Sequence, residues 1–188
     1  MNSSKKPFTA LHRILHWLVA LAMGVLYITG FLRMYWMSKR TVLKAIDQNM
    51  PDLNYTKEQA LGVAKTILQP MWQWHEFAAF LFFMFIAARI LYMLLQGIRF
   101  PNPFSTKVSR KERLQGVVYM LFYAFTLISS VTGIYLKWGG DELKEPLEAI
   151  HKWAVYWFPA FVGVHFVGIW RAEKAEGKGI ASKMIGGE

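Results

Sequence analysis

Four stretches of this chain are long, apolar and almost free of charge, and they limit what it can fold into more than any other feature. They run about 11–36, 74–95, 114–136 and 150–170. Each comes near the ~20 residues a helix needs to cross ~30 Å of hydrocarbon at about 1.5 Å per residue. Backbone polar groups in lipid must bond within their own segment, so each stretch is expected to be an α-helix. A buried helix of a soluble protein would explain any one of them, but four within 188 residues argue for a membrane. The expected fold class is an all-α membrane protein, a four-transmembrane-helix bundle forming one domain over residues 1–188, with an outer segment at 37–72.

Composition agrees. Hydrophobic residues make up 54% and charged residues 18%, against roughly 25% charged in a soluble domain, and that apolar content excludes a disordered chain. The absence of cysteine excludes a disulfide scaffold, a thiolate zinc site, an iron–sulfur cluster and thioether-linked haem. A net charge of +10 would suggest nucleic acid in a soluble protein. Here the bases flank the apolar runs, so membrane lipid is the expected contact and nucleic acid is not. The eight tryptophans lie mostly toward span ends, where amphipathic rings meet the headgroups.

The first apolar run is too long for a signal peptide and lacks a small-residue cleavage site, so it reads as a retained first helix. Orientation follows from Lys and Arg. The N-terminal segment, the 99–113 loop and the C-terminal tail carry Lys5, Lys6, Arg13, Arg99, Lys107, Arg110, Lys111, Arg113, Arg171, Lys174, Lys178 and Lys183. Only Glu112, Glu173, Glu176 and Glu188 oppose them there. In segments 37–72 and 138–149 acids nearly balance bases. Both termini are therefore expected in the cytoplasm. Within the outer segment, Thr56 to Leu68 has helical apolar spacing, with Thr56 as its cap and Pro70 as its end. It is either a cover over the bundle or a docking surface.

The chemistry sits in five histidines, His12, His16, His75, His151 and His165, all inside or at the ends of spans. Ionisable groups in a membrane are costly and suggest function. His151 and His165 are fourteen positions apart. On one continuous helix that is an offset of roughly 40° and a rise of about 21 Å, so both face one side at different depths. His16 lies in the inner part of span one, at the depth of His165, and His75 begins span two at the depth of His151. Two histidine pairs result, one per leaflet. Zinc takes four protein ligands, or three and water, so a pair is too few. A porphyrin supplies four nitrogens and leaves two axial positions. The expected cofactors are therefore two haem b groups with bis-His axial ligation. Gly24, Gly30, Gly133 and Gly163 would let a macrocycle approach a helix. Arg13 and Arg89 would either pair with haem propionates or snorkel to the phosphates. His12 shares a face with His16 four residues on, and His16 is preferred as ligand because it lies deeper.

Arg13-Ile14-Leu15-His16-Trp17, His75 with Arg89 fourteen residues later, and His151 followed fourteen residues later by Val164-His165-Phe166 carry a family resemblance. The chain resembles the bacterial di-haem cytochromes of the cytochrome b561 and nickel-hydrogenase b-subunit group, over all four spans. The resemblance implies a bacterial inner-membrane protein in which His16 and His165 hold one haem and His75 and His151 the other. The outer segment is long for that group.

Such a protein is expected to move electrons between a periplasmic partner, a dehydrogenase or hydrogenase subunit or a c-type cytochrome, and the membrane quinone pool. Trp72, Trp74, Tyr156 and Trp157 either line a quinone site or anchor the interface. A second reading is a stand-alone superoxide:quinone oxidoreductase, with Lys137, Lys144 and Lys152 steering a small anion against the acids Asp141, Glu142, Glu145 and Glu148. A third is a cofactor-free membrane scaffold or transporter.

Overall fold

The computed structural model describes residues 8–52, 54–98, 100–175 and 179–186. Lys5, Lys6, Arg99, Glu176, Lys178 and Glu188, which carry part of the charge asymmetry, lie outside the described residues. Helices α1 (Ala10–Tyr35), α2 (Lys39–Asn49), α3 (Lys57–Leu95), α4 (Arg110–Trp138), α5 (Lys144–Lys152), α6 (Ala154–Ala175) and α7 (Ile180–Ile185) follow in order, with no strand among the described residues. Four segments have the length and hydropathy of membrane spans: α1, α3, α4 and the α5–α6 segment Lys144–Lys174. Their most apolar windows are barely buried by protein, at 22%, 22%, 17% and 0% in turn, so they present apolar surfaces of the kind that lipid covers. Contacts divide the chain into two compact units, Leu15–Ala88 and the pair Met1–Ile14 with Arg89–Glu188.

In the first unit, α1 buries Leu15, Val19, Ala22, Met23 and Thr29 along one side. After α1 the chain turns at once. Ser38 caps α2 by accepting the Thr41 amide at 3.1 Å. Thr56 and Gln59 cap α3 reciprocally: the Gln59 amide donates to Thr56 Oγ1 (3.2 Å) and the Thr56 amide to Gln59 Oε1 (2.8 Å). Thr56 is thus the expected cap, and Gln59 completes a capping box with it.

Pro70 does not end this helix. It lies inside a continuous 39-residue α3. The helix instead runs through because one stripe stays buried on both sides of the proline, Ala60, Ala64 and Leu68 before it and Met71, Ala78 and Phe82 after it, while Pro70 itself is on the exposed side. At about 1.5 Å per residue α3 is about 58 Å long, well beyond the hydrocarbon thickness.

In the second unit, α3 ends in a Schellman motif. Gly97 has φ +63°, its amide bonds Leu94 O (3.2 Å), and the Ile98 amide bonds Met93 O (2.9 Å). Phe100 then packs on Tyr119 of α4, ring centroids 4.5 Å apart. Gly116 makes room for that loop, since a Cβ there would sit 2.2 Å from Pro101 O. Ser109 and Glu112 form a full capping box on α4.

The fourth span is one membrane-length segment, Lys144–Lys174, with a single irregular residue. α5 ends at Lys152, Trp153 sends its amide to Ile150 O (3.1 Å), and α6 starts at Ala154. Trp153 keeps right-handed helical dihedrals (φ −60°, ψ −18°), so the chain stays helical between His151 and His165. α6 packs on α4 through Phe161 on Phe122 (4.5 Å) and Trp157 stacked on Phe125 (5.7 Å). The Glu173 carboxylate accepts the amides of Gly179 (2.9 Å) and Ala181 (2.7 Å), which ties α7 back to α6.

Candidate functional site

In the unit Leu15–Ala88, His16 and His75 are both half-buried, on α1 and α3. His75 Nδ1 lies 2.8 Å from Thr29 Oγ1 of α1. One turn further along α1, the Arg33 guanidinium sits over the Trp72 ring at 5.8 Å, and Trp72 meets His75 edge-on at 5.5 Å. These paired contacts run in opposite senses along the two helices, so α1 and α3 are antiparallel. They also put His75 at the level of Thr29. Thirteen residues of α1, about 20 Å at 1.5 Å each, separate that level from His16. The opposed depths expected of His16 and His75 are therefore present within one unit.

In the other unit, α4 builds a seat for His151. Its Nδ1 lies 3.0 Å from Ser129 O and 3.1 Å from Thr132 Oγ1. Gly133 supplies the clearance, because a Cβ there would sit 3.0 Å from His151 Cε1. The bare Cα of Gly133, expected to admit a macrocycle, thus faces an imidazole. A Cβ on Gly24 or Gly163 would meet nothing within 4 Å, so those two positions keep the open approach expected of them. His165 stacks on Phe161 at 5.7 Å, and Phe161 packs on Phe122 of α4. Phe122 is ten residues from Thr132, about 15 Å along α4, so His151 and His165 also stand at different levels.

His12 is held by aromatic neighbours. Phe8 stacks on its ring at 5.3 Å and Tyr92 meets it edge-on at 5.8 Å, while the Tyr92 hydroxyl bonds Thr9 Oγ1 at 2.6 Å. Arg13 donates from Nη1 to Ile185 O (3.3 Å). Arg89 lies within electrostatic range of His12 and His165.

Three guanidinium nitrogens, Arg13 Nε, Arg33 Nε and Arg89 Nη1, are buried and have no hydrogen-bond partner among the described residues. A buried charged donor without an acceptor is expensive, and carboxylates are the natural complement of guanidinium. Together with imidazoles held through Nδ1, these donors fit a carboxylate-bearing porphyrin. Arg33, Thr29, Ser129 and Thr132 join the expected Arg13 and Arg89 only through the fold. A signal was there: Thr-Gly follows a β-branched residue in both Ile28-Thr29-Gly30 and Val131-Thr132-Gly133.

Of the aromatic residues considered for a quinone, Trp157 is a packing residue. Its indole N–H donates to Ser129 Oγ (3.2 Å) and its ring stacks on Phe125. Trp74 and Tyr156 are exposed, at 62% and 58%, as interface anchors are.

The family model of prokaryotic cytochrome b561 matches residues 7–187 of the 188-residue chain. No curated protein and no solved structure gives a significant match. With four membrane-length helices and a family match along nearly its whole length, the chain belongs to the prokaryotic cytochrome b561 family, the haem b membrane cytochromes of electron transport.

Proposed function

We propose that this chain is a di-haem b-type cytochrome, a single domain in the bacterial inner membrane with both termini in the cytoplasm, that passes electrons between a periplasmic redox partner and the quinone pool. His16 and His165 are the axial ligands of the inner haem, and His75 and His151 those of the outer one. Each haem supplies an iron that takes up and releases one electron. The chain supplies the ligands, the anions' partners and a dry surround. Arg13 and Arg89 bind propionates on the inner side. Arg33, one turn beyond Thr29, does so on the outer side.

The observation that carries this reading is the spacing of the imidazoles. His16 and His75 stand about 20 Å apart in depth on two antiparallel helices, too far to serve one iron, and His151 is held through Nδ1 as His75 is. A metal-binding histidine is commonly oriented by a hydrogen bond at its other nitrogen.

Surface charge favours docking to a partner protein over capture of a small anion. Lys144 is paired with Asp141 (3.1 Å) and Lys152 with Glu148 (2.7 Å), so two of the three lysines invoked for superoxide steering are already neutralised. The long outer segment, with α2 and the first turns of α3, offers the docking surface.

The experiment is a pyridine haemochrome assay on purified protein and its histidine variants. Wild type gives about two haems b per chain. His75→Ala and His151→Ala each lose one, His16→Ala and His165→Ala each lose the other, and His12→Ala keeps both. A colourless wild type would favour the cofactor-free scaffold, and loss of haem from His12→Ala with retention in His16→Ala would move the inner ligand to His12.

A further inference from the structure

We propose that Thr29 and Thr132 are matched positioning residues that fix the tautomer of His75 and His151, so that each ring carries its proton on Nδ1 and presents Nε2 to an iron. The proposal rests on the ligand assignment of His75 and His151 made above.

A threonine hydroxyl has one proton to give and lone pairs to accept with. Thr29 Oγ1 lies 2.7 Å from Val25 O and 3.1 Å from Leu26 O, the carbonyls one turn back on α1. Thr132 Oγ1 lies 2.8 Å from Ile128 O and 3.1 Å from Ser129 O on α4. A carbonyl only accepts, so each hydroxyl's proton is spent on its own helix. Toward the histidine the hydroxyl can then act only as an acceptor. The donor must be the ring, and the atom facing Thr29 at 2.8 Å and Thr132 at 3.1 Å is Nδ1 in both cases. With the proton on Nδ1, a neutral imidazole holds its lone pair on Nε2. The same device thus occurs on two different helices, against two different histidines.

At His151 a second acceptor joins the threonine. His151 Nδ1 also faces Ser129 O at 3.0 Å, a second acceptor that demands the same tautomer. Thr132 is therefore backed by a main-chain carbonyl that no side-chain substitution removes. A hydrogen bond at Nδ1–H makes the imidazole a stronger donor to the metal. Its removal weakens ferric iron more than ferrous and moves the potential of that haem upward.

The test is a potentiometric titration of the full-length haem-loaded protein, followed in the visible bands, for Thr29→Val, Thr29→Ser, Thr132→Val and Thr132→Ser. Valine keeps the shape and removes the acceptor, whereas serine keeps the acceptor. Thr29→Val should shift one of the two midpoints upward by about tenfold in the ferric–ferrous equilibrium, about 59 mV for one electron, and leave the other unchanged. Thr132→Val should shift the same component in the same direction. Both serine variants should match wild type. Should Thr29→Val fail to retain the outer haem, retention in Thr29→Ser supports the proposal and loss in both overturns it. Unmoved midpoints in Thr29→Val, or a shift that serine does not reverse, also overturns it. His75→Ala separates the two levels. If it keeps both haems, the ligand assignment fails and takes the proposal with it. If it loses one while the threonine variants are silent, only the role of the threonines fails.

Discussion

The histidines could be found in the sequence because an imidazole inside an apolar span is rare and costly. What positions them could not. Thr29, Ser129 and Thr132 are ordinary residues of membrane helices, and Gly133 was noticed for a different use. In the structure Gly133 is the floor beneath His151, with 3.0 Å between the ring and the Cβ that alanine would add. Gly133→Ala should therefore displace His151 from Ser129 O and lower the haem content toward one per chain, with the absorbance of the remaining haem unchanged. Gly168→Ala is the control: a Cβ there has open space around it, and haem content should stay near two. Arg33 was missed for a similar reason. An arginine near a span end reads as a headgroup contact, and only its buried Nε and its place over Trp72 say otherwise.

At the scale of elements, hydropathy picked out the four helices long and apolar enough to cross a membrane, but it did not locate their ends. Proline at position 70 suggested an end, and the helix continues. The segment 150–170 suggested continuity, and it stays helical apart from a tightened turn at Trp153. At the proline tertiary burial decided, because α3 keeps one buried stripe across it. The α2–α3 connection offers a test outside the membrane. Tyr55 hydrogen-bonds the Asp47 carboxylate, and that bond raises the phenol above its ordinary 10.0, with desolvation and the Asp47 charge adding to it. The protonated phenol is the form that bonds, so this contribution is complete below pH 10 and is lost as pH rises through the elevated value. A phenolate absorbance titration of wild type minus Tyr55→Phe should show a single tyrosine with a midpoint above 10. A difference midpoint at or below 10 would mean that Tyr55 and Asp47 are apart in solution.

For the molecule as a whole, the apolar surfaces of the four spans place it in a bilayer, and family membership makes it a haem b cytochrome of electron transport. Helix association in lipid gains little from burying apolar surface, because lipid is as apolar as leucine, so packing and interhelical hydrogen bonds carry more of the specificity. The Thr29–His75 and Thr132–His151 bonds therefore join helices as well as fix the imidazoles. Orientation can be checked with reporter fusions: a cytoplasm-active reporter after Glu188 should be functional, and a periplasm-active one inserted near Asn54 should be functional too. The opposite pattern would reverse the assigned sides. By itself the sequence determined the class of solvent, the number of spans and the histidines, because those follow from hydropathy and from the cost of ionisable groups in lipid. Only the tertiary structure decided which nitrogen of His75 and His151 is tied down, where helices continue or end, and which glycine serves an imidazole, because these depend on atoms brought together from distant parts of the chain.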